Sequence, residues 1–556
     1  MRSNVTSLAP QLLRSRLTKV CVAIIGATPA EMIEKATSVV KETPFLEFRL
    51  DYLDKPLAAL PKLKQFFADN TAATAIATCR RAELGGKFPG SVAAEVEILS
   101  KAADTGFHLV DLELESAEAL KKGELQKLRD TGIALIISHH DFAATKDLDG
   151  IYARIERFSP DFVKIVSTAK TLVDNVTLIR FLERMSDHTN IVGICMGDAG
   201  IISRVLGVRA GSAFTFAAAT PGEETGPGQI AARTLLETYR IDHVDAATKV
   251  YGVAGNPIRS SLSPIMMNTA FRRETVNAVY LALQTGKLTD LLKLVHEIPV
   301  QGLSVTMPLK QEVLPYLEQT DPLSAKIGAV NTVRLLDGKL YGFNTDVAGI
   351  VGPLEKRLSL RGAKVLVLGA GGAARAAVFG VRDRGAEVFI LNRTSETAQK
   401  LARQSGSKTI RKEAVAKTGF DAIINATPVG MAGNKAPQIL EAKDLNTKLV
   451  FDLVYNPLET PLIRLARQQS IPIITGVEMF VQQGARQFEI FTGKPAPEEE
   501  MFRVVLHALR HQAEATASEA AESHAPKAAK SSAAKPAKPS PSAKSPAKKA
   551  TTKSRR

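Results

Sequence analysis

The stretch SPDFVKIVSTA, from Ser159 to Ala169, places a lysine in the middle of a strand-like run. The residues that flank Lys164 in the segment 162–166 are all aromatic or β-branched, which predicts a buried β-strand. An ammonium without a partner is costly to bury. A lysine that reaches water from an edge strand would also fit this pattern. The neighbouring segments of the chain decide between the two interpretations.

Seven other segments of the first 245 residues have the same strand-like composition. They read KVCVAII, FLEFRLDY, TAIATCR, LVDLEL, IALIISHHD, NIVGICMG and FTFAAA. Amphipathic or alanine-rich segments, predicted as helices, separate them. Eight βα units in succession predict a (β/α)8 TIM barrel, to which we assign residues 1–245.

The remainder of the chain divides into three parts. Residues 246–350 predict a second α/β unit, completed by C-terminal helices in residues 480–512. Residues 351–479 open with a strand and a glycine-rich turn, the pattern of a Rossmann-like domain. Residues 513–556 are rich in Ala, Lys, Pro and Ser and cannot bury a core, so we expect a disordered basic tail. The predicted fold class is α/β throughout the folded part.

Charge and cysteine usage exclude several classes of protein. The formal net charge is +15, of which +10 comes from the eight Lys and two Arg of residues 525–556. The body is therefore near charge balance, and nucleic-acid binding by it is not implied. The three cysteines, Cys21, Cys79 and Cys195, show no CxxC spacing, so we expect no metal site or disulfide and a cytoplasmic location. No apolar run approaches the roughly 18 residues of a membrane span.

Charged and polar residues recur where the barrel strands end. Chemistry in such barrels lies at the carboxyl ends of the strands, so these side chains are expected to converge on one site. They are Glu47, Arg49, Asp51, Arg80, Asp111, Glu113, His139, His140, Lys164, Arg204 and Gln229.

A lysine inside such a ring has a chemical use. Desolvation and nearby cations favour the neutral amine of a lysine, which can attack a ketone. The imine that forms is an electron sink for loss of an adjacent proton, which a histidine can carry. Arginines can hold a carboxylate bidentately. The residues thus predict Schiff-base chemistry on an anionic keto acid, by either an aldolase or a dehydratase.

The motifs EFRLDY, VDLELE, SHHDF, DFVKI, MGDAGIISR and GPGQ together resemble type I 3-dehydroquinate dehydratase. The resemblance implies an imine between Lys164 and the C3 ketone of 3-dehydroquinate. It makes His140 the general acid/base and His139 a structural neighbour. The residues it assigns to substrate binding are Glu47, Arg49, Arg80, Arg204, Thr225 and Gln229. One departure is Leu84, which stands where the family usually has a glutamate, with Glu83 one residue earlier.

The stretch KVLVLGAGGAARA is a strand that ends in glycines and opens a helix. Gly369, Gly371 and Gly372 allow a pyrophosphate to approach the backbone at the helix N-terminus. The next strand ends in Asn392-Arg393-Thr394, where an NAD enzyme would place an acid. An arginine there suits a 2′-phosphate, so NADP is predicted.

A polar cluster precedes this turn, in GNPIRSSLSP, SVTMPLK, GAVNTV and GFNTDVAG. Hydride delivery to a ketone needs a proton for the nascent alkoxide. Lys310 and Asp346 are the candidate pair for that proton. Serines and threonines of the cluster offer hydrogen bonds to a polyol, although such residues also form turns and caps.

These motifs, followed by NRT, NATPVGM and DLVYNP, are similar to shikimate dehydrogenase in family order. The resemblance makes Lys310 and Asp346 catalytic. It assigns substrate binding to Ser261, Ser263, Thr306, Asn331, Tyr455, Gln483 and Gln487. It assigns NADP binding to Gly369, Ala370, Gly371, Gly372, Ala373, Asn392, Arg393, Thr394, Thr427, Gly476 and Met479. Ser304 and Met267 depart from the usual Asn and His.

The two resemblances name consecutive reactions. Dehydration of 3-dehydroquinate gives 3-dehydroshikimate, which NADPH reduces to shikimate, so we expect a bifunctional enzyme acting on these small molecules, without metal or membrane. One alternative is a quinate/shikimate dehydrogenase in the second half. Another is a nucleic-acid-associated protein with degenerate enzyme domains, supported only by the basic tail.

Overall fold

The computed structural model describes residue 13 and residues 15–121, 123–258 and 260–524, with side-chain burial given up to residue 514. The described residues up to Leu509 form one compact unit, and the described residues from Arg510 to His524 belong to a second unit. The three sheets described below all belong to the first unit.

Among the described residues, the first sheet has eight parallel strands in the order β7-β6-β5-β4-β3-β2-β1-β8. They are β1 Val20–Ile24, β2 Phe45–Arg49, β3 Thr74–Thr78, β4 Leu109–Glu113, β5 Ala134–His140, β6 Phe162–Thr168, β7 Ile191–Met196 and β8 Thr215–Ala218. At the seam, the backbone N–H of Ala213 donates to the carbonyl of Ile191 (2.8 Å), which brings the two ends of the sheet together. The predicted barrel is confirmed.

Helices lie between the barrel strands as the sequence predicts. They are α1 Pro29–Val39, α2 Pro56–Asp69, α3 Val92–Ala103, α4 Leu114–Ala119, α5 Glu124–Arg129, α6 Leu148–Glu156, α7 Leu172–Met185 and α8 Ser203–Arg209. Short 3-10 turns occupy Leu50–Tyr52, Ala82–Leu84, Asp198–Gly200 and Ile241–His243, and a π-helix spans Thr234–Thr238.

Strand alternation divides the barrel interior into layers. Side chains two residues apart on a strand face the same side. Phe45, Ile76, Leu109, Ile136, Phe162, Val192 and Phe214 form an apolar floor. Two residues further along each strand, several inward positions turn polar. Glu113 lies in register with Ser138, and Ser138 with Lys164, so these three side chains occupy one level of the barrel.

The second sheet follows in the order β10-β9-β11-β13-β14-β12. Its strands are β9 Lys249–Gly255, β10 Ala278–Gln284, β11 Val300–Val305, β12 Gln319–Thr320, β13 Thr332–Leu336 and β14 Lys339–Phe343. Its helices are α9 Ser263–Arg273, α10 Leu288–Glu297, α11 Leu309–Glu312, α12 Pro322–Ile327 and α13 Asp346–Glu355, with a 3-10 turn at Leu314–Tyr316. Helix α10 packs on barrel helix α7, and the hydrophobic core continues across this junction.

The third sheet is parallel, in the order β17-β16-β15-β18-β19-β20, the arrangement expected of a Rossmann-like domain. Its strands are β15 Lys364–Leu368, β16 Glu387–Leu391, β17 Lys408–Thr409, β18 Ala422–Asn425, β19 Val450–Asp452 and β20 Ile473–Ile474. Its helices are α14 Gly372–Asp383, α15 Ser395–Ser405, α16 Lys412–Val415 and α17 Pro461–Gln468, with a 3-10 turn at Ala442–Asp444.

Two long helices end the described chain, α18 Gly476–Thr492 and α19 Glu498–His524. Helix α18 packs on α13 and α9, so it returns to the second sheet. Helix α19 extends through residues 513–524, the first part of the segment that the sequence assigned to the tail. Residues 525–556, the basic part of the predicted tail, lie outside the described residues.

No helix of the described residues combines the length and apolarity needed to cross a bilayer. All three cysteines are buried free thiols, as their spacing predicts.

Replacement of Phe214 by alanine is expected to lower the free energy of unfolding by about 3–5 kcal/mol. Phe214 is fully buried, and its ring meets those of Phe45 and Phe162 at centroid distances of 4.9 and 5.8 Å. Equilibrium unfolding in urea measures the change. Leu57→Ala, at a side chain 41% exposed on α2, is the control and should cost less than about 1 kcal/mol. Equal losses in the two variants would contradict the assignment of Phe214 to the barrel floor.

Candidate active sites

The barrel cavity brings together every residue that the family resemblance assigns to the first site; of the other strand-end charges, His139 faces away from it. It opens at the carboxyl ends of the strands. The predicted residues that line it are Glu47, Arg49, Arg80, His140, Lys164, Arg204, Thr225 and Gln229. Phe142, Met196 and Phe216 supply apolar walls, which the sequence did not predict.

Lys164 is only 3% exposed, and its closest charged neighbours are carboxylates. Its Nζ donates to Asp111 Oδ2 at 2.7 Å, lies 3.8 Å from Glu47 Oε1 and is 4.0 Å from the ring centroid of Phe216. The sequence predicted that neighbouring cations would expel the lysine proton. The nearest charged groups are instead the carboxylates of Asp111 and Glu47.

Asp111 is ionised in this environment. Burial alone would raise the pKa of Asp111, but the charges of Lys164 and Arg80 hold it well below its ordinary value. Its second oxygen, Oδ1, is 2.5 Å from Ser138 Oγ. The lysine therefore sits in a buried ion pair that is itself held by a hydrogen bond.

His140 has a carboxylate partner and stays neutral. Its Nδ1 is 2.9 Å from Glu113 Oε1. Burial, reinforced by the positive charge of Arg80, lowers the pKa of His140 to about 4. Although burial acts in the opposite sense, His140 and Arg80 lower the pKa of Glu113 to about 2. A neutral imidazole that donates Nδ1–H to a carboxylate leaves Nε2 as a proton acceptor.

The departure at Leu84 leaves His140 with a single carboxylate partner among the described residues. Glu83, one residue earlier, has a side chain that is 66% exposed and pairs with Arg81. The partner is instead Glu113, which the sequence showed as a strand-end charge but which we did not assign to the site. The i, i+2 spacing of Asp111 and Glu113 was the available signal.

The arginines differ in whether their charge is already paired. Arg49 forms a bidentate pair with Asp51, with donor–acceptor distances of 2.9 and 2.8 Å. Arg80 Nε is 3.2 Å from Glu113 Oε2, while its buried Nη2 has no hydrogen-bond partner in the described chain.

Arg204 is the buried cation best suited to an external anion. It is 3% exposed and donates only to two backbone carbonyls, of Gly228 (2.8 Å) and Phe216 (3.0 Å). No ion pair of the described residues includes it, and burial lowers the pKa of Arg204 to about 10. A carboxylate ligand would supply the missing counter-charge.

The loop after β8 closes over Arg204. Gln229 Oε1 accepts from the backbone N–H (2.7 Å) and the hydroxyl (3.1 Å) of Thr225. Gly228 has φ +71°, and a Cβ there would lie 2.4 Å from the carbonyl oxygen of Gly197, so glycine is required. These contacts fix the loop that carries both predicted residues.

His139 lies on the opposite face of β5 from His140, because successive residues alternate. Its Nδ1 is 2.9 Å from Glu115 Oε1, and hydrogen bonding to that carboxylate raises the pKa of His139. Donor atoms of Glu113, Glu115 and His139 lie within 4.8 Å of one another. Glu113 already has two other partners, the charge of Arg80 and the hydrogen bond from His140.

A second site lies between the second and third sheets. Lys310 Nζ donates to Asp346 Oδ2 at 2.6 Å. Asn331 Nδ2 donates to the other carboxylate oxygen at 2.7 Å. The predicted proton-transfer pair is thus in contact, and Asn331 orients it.

The other predicted polar residues surround this pair in different ways. Asn331 Nδ2 is 3.5 Å from Gln483 Oε1, and Gln487 donates to Thr332 Oγ1 at 3.1 Å. Ser304, a departure from the family pattern, donates to Gln487 Oε1 at 2.7 Å. The substituted serine is therefore part of the network, a role that the sequence did not reveal.

The remaining predicted residues of this site lie at its edges. Ser261 Oγ accepts from the backbone N–H of Ser263 at 3.2 Å, at the start of α9. Thr306 is half-buried at the end of β11. Tyr455 stacks on Phe480 with ring centroids 4.5 Å apart.

The glycine-rich turn after β15 has open space beside it. Gly369 has φ +110°, and a Cβ at Gly371 would meet no atom within 4 Å. A Cβ on Gly372 would lie 3.4 Å from Cδ of Lys310. The turn is thus shaped to admit a pyrophosphate and lies directly against the catalytic lysine candidate. Ala370 and Ala373 flank these glycines in the same turn and the first turn of α14.

The end of β16 presents the residues predicted for the adenosine phosphate. Asn392 Nδ2 donates to the carbonyl of Thr394 at 2.9 Å and shapes the turn. Arg393 is exposed and makes no ion pair within the described part of the chain. Thr427 approaches Gly369, where a Cβ would lie 3.0 Å from Thr427 Cγ2.

The two remaining predicted cofactor residues begin α18. A Cβ on Gly476 would lie 2.4 Å from the Val454 carbonyl, so the helix approaches that strand end closely. Met479 is partly buried against the core of the third sheet.

Comparisons with known proteins agree with this arrangement. Residues 20–246 match the Type I 3-dehydroquinase family. Residues 253–333 match the shikimate dehydrogenase substrate binding domain, residues 354–453 the Shikimate / quinate 5-dehydrogenase family, and residues 476–506 the Shikimate 5′-dehydrogenase C-terminal domain.

Individual relatives cover either most of the chain or about half of it. The chloroplastic bifunctional 3-dehydroquinate dehydratase/shikimate dehydrogenase of Arabidopsis thaliana is 33% identical over 515 residues, 87% of this chain and 84% of the relative. The shikimate dehydrogenase (NADP(+)) of Maridesulfovibrio salexigens is 39% identical over 267 residues, 47% of this chain and 97% of the relative. A solved structure, the dehydroquinate dehydratase and shikimate dehydrogenase of S. pombe AroM, is 24% identical and covers 90% of this chain and 100% of that chain, with a TM-score of 0.42. By its match to the A. thaliana protein, the chain belongs to the family of bifunctional 3-dehydroquinate dehydratase/shikimate dehydrogenases.

The two adjacent histidines are expected to titrate in opposite directions. The imidazole of His140 should remain neutral down to about pH 4. The pKa of His139 is raised by its hydrogen bond to Glu115, so its ring should take up a proton at a higher pH than an ordinary histidine does. NMR of ¹³C-labelled histidine rings measures both, with His139→Gln and His140→Gln to assign the signals. Titration of both rings near the same pH would contradict the environments described.

Proposed function

We propose that the chain catalyses two consecutive reactions, dehydration of 3-dehydroquinate to 3-dehydroshikimate and reduction of 3-dehydroshikimate to shikimate with NADPH. The observation that carries the proposal is the pairing of two complete sites in one chain. One is a buried lysine beside a neutral histidine and an unpaired arginine. The other is a lysine–aspartate pair against a glycine-rich turn.

In the barrel, the amine of Lys164 attacks the ketone carbon of the substrate, and loss of water leaves an imine. Lys164 must first give up the proton that Asp111 stabilises. Nε2 of His140 then takes a proton from the carbon next to the imine, and the hydroxyl one carbon further leaves with a proton as water. Hydrolysis of the imine returns the amine and releases the unsaturated ketone, so the reaction neither oxidises nor reduces the substrate.

Substrate position follows from the unequal pairing of the arginines. Arg204 binds the carboxylate, because its charge lacks a partner among the described residues. Nη2 of Arg80 and the amide of Gln229 bind hydroxyls, and Glu47 and Thr225 complete the polar wall. Arg49, already paired with Asp51, holds that wall in place.

In the second site, NADPH supplies a hydride to the ketone carbon when it is bound. Lys310 holds a proton at Nζ for the alkoxide oxygen that develops, and Asp346 fixes its position. Substrate hydroxyls bind Ser261, Ser263, Thr306, Asn331, Tyr455, Gln483 and Gln487.

The residues around the turn fit NADP. The residues proposed to hold it are Gly369, Ala370, Gly371, Gly372, Ala373, Asn392, Arg393, Thr394, Thr427, Gly476 and Met479. The open space at Gly371 and the helix N-terminus suit the pyrophosphate, and Arg393 suits the 2′-phosphate. The M. salexigens relative carries NADP(+) in its name, which supports the same cofactor here. Since no residue group needs a metal for either reaction, we propose metal-free catalysis.

The proposal also covers the limits of the domains, the cellular location of the protein and its binding partners. We assign residues 1–245 to the dehydratase, 246–350 with 480–512 to the shikimate-binding domain and 351–479 to the NADP domain. Buried free thiols suit a reducing cytoplasm. The partners proposed are the small-molecule substrates; any binding of nucleic acid by residues 525–556 lies outside the described part of the chain.

Substrate choice in the second site has one specific alternative. The family matched by residues 354–453 is described as Shikimate / quinate 5-dehydrogenase. Comparing kcat/KM for shikimate and quinate oxidation distinguishes the two, and we expect shikimate to be preferred.

A coupled assay tests the whole proposal. With 3-dehydroquinate and NADPH, the protein is expected to form shikimate and consume one NADPH for each molecule formed. Lys164→Ala should stop the sequence at 3-dehydroquinate, and added 3-dehydroshikimate should restore NADPH consumption. Lys310→Ala should accumulate 3-dehydroshikimate, with the reduction slowed by about 10²–10⁴-fold. Chromatography of the three acids measures each step.

Borohydride trapping is the control for mechanism. Reduction in the presence of 3-dehydroquinate should add substrate mass to Lys164 and not to Lys310. Full dehydration by Lys164→Ala would refute the imine, and shikimate formation at normal rate by Lys310→Ala would refute its role as proton donor.

Arg393→Asp is expected to weaken NADPH binding about tenfold or more, because a carboxylate would replace a charge-assisted contact with the 2′-phosphate. NADH, which lacks this phosphate, should be affected much less. Arg403→Asp, at an exposed arginine of the same domain, is the matched control and should change neither. Dissociation constants from fluorescence titration provide the measurement; equal loss for both cofactors would place Arg393 away from the phosphate.

A further inference from the structure

Lys164 and His140 are joined by an unbroken series of buried contacts. Lys164 Nζ lies 2.7 Å from Asp111 Oδ2, and Asp111 Oδ1 lies 2.5 Å from Ser138 Oγ. Ser138 Oγ is also 2.8 Å from Glu113 Oε2, and Glu113 Oε1 is 2.9 Å from His140 Nδ1. Ser138, at the centre, is fully buried.

Ser138 stands between two carboxylates with only one proton to give. A serine hydroxyl donates one hydrogen bond at a time. Asp111 and Glu113 are both held ionised, so each is stabilised by that donor, but not simultaneously. The carboxylate that lacks another counter-charge attracts the hydroxyl more strongly.

We propose that Ser138 is a positioning residue whose hydroxyl turns between Asp111 and Glu113 and thereby couples the charge of Lys164 to the proton affinity of His140. The proposal rests on the dehydratase function proposed above. Neither the motif comparison nor the strand-end pattern assigned a role to this serine.

The first state is the resting one. While Lys164 is an ammonium, it balances the charge of Asp111, and the Ser138 hydroxyl, which lies 2.5 Å from Asp111 and 2.8 Å from Glu113, can turn to donate to Glu113. Glu113 then attracts a proton on His140 less strongly, so the imidazole remains neutral. Burial and the charges of Arg80 and Lys164 act in the same direction.

The second state begins when Lys164 loses its proton. Asp111 then loses its nearer counter-charge and keeps only the more distant Arg80, at 3.8 Å, so the Ser138 hydroxyl turns towards it. Glu113 recovers its full charge and favours the imidazolium, so the proton that leaves Nζ is taken up at Nε2 of His140. That proton is available to the hydroxyl of the carbinolamine, which departs as water while the C–N double bond forms.

The groups that face His140 limit the possible explanations of a shift in its titration. They are Glu113 on β4, Arg80 at the end of β3 and Lys164 on β6. Arg80 keeps its charge throughout the accessible pH range. A change in the titration on replacing Ser138 therefore reports on Glu113 or on Lys164 through Asp111.

Ser138→Ala is the test, with Ser116→Ala as the matched control. Ser116 is equally buried and donates to another buried carboxylate, Glu95, at 2.7 Å. Without the hydroxyl of Ser138, Glu113 keeps its full charge at all times. The pKa of His140 should therefore rise by about one unit, a tenfold change in proton affinity. Ser116→Ala should leave it unchanged, and Ser138→Thr, which retains a hydroxyl, should restore the wild-type titration.

Two readouts separate this role from a structural one. NMR of the labelled histidine rings measures the His140 titration directly. The acid limb of kcat for dehydration should move to higher pH by the same amount, because the proton acceptor must be neutral. Reduction of 3-dehydroshikimate by the same variant is the control for folding.

Unchanged titration of His140 in a folded Ser138→Ala protein would overturn the proposal, as would an equal shift in Ser116→Ala. If Ser138→Ala does not fold, Ser138→Cys gives the second test, since a thiol is a weak donor, and its titration should lie between those of alanine and wild type. A wild-type protein that forms no imine would refute the proposed dehydratase itself, which is a different outcome.

Discussion

The ion pair between Lys164 and Asp111 is the contact on which the barrel interior depends. Two opposite charges buried without each other would each cost several kcal/mol. The strand alternation that places an apolar floor below them also turns both side chains into the barrel interior, where they pair at 2.7 Å. The polar level above the floor thus holds the amine that we propose as the nucleophile away from water.

The second site also contains a lysine–aspartate pair, but its lysine is more exposed to solvent. Lys310 also pairs with an aspartate, at 2.6 Å, but its side chain is 20% exposed, compared with 4% for Lys164. A proton donor for an alkoxide must exchange its proton with solvent at each turnover, whereas an amine that attacks a ketone benefits from desolvation. The difference in burial follows from the difference in task.

Much of this architecture is predictable from sequence, because it rests on local periodicity. Eight strand-like segments and a glycine-rich turn fix the barrel and the Rossmann-like sheet. The residues at the strand ends predict the lining of the cavity. Because successive side chains of a strand point to opposite faces, His140 faces inward and His139 does not.

Pairing between side chains was less predictable. Glu47, Asp111 and Glu113 are equivalent in the sequence as partners of Lys164, and only the structure selects Asp111. Arg49 and Arg204 likewise appear alike until Asp51 is seen to neutralise the first. Helix α19 continues past residue 512 because residues 513–524, although poor in large apolar side chains, are rich in Ala and Glu, which favour helix without a core.

The packing of α10 on α7 joins the halves through one hydrophobic core, in which Leu178 and Leu182 of the barrel belong to the same cluster as Leu291 and Leu294. Stability in such an arrangement is shared between the halves. A substitution at this junction that favours the unfolded chain would diminish two enzymes in the same proportion, although it touches neither active site. A destabilising mutation at this junction would therefore reduce two metabolic steps through one gene, whereas a mutation in one of two separate proteins would reduce only one step.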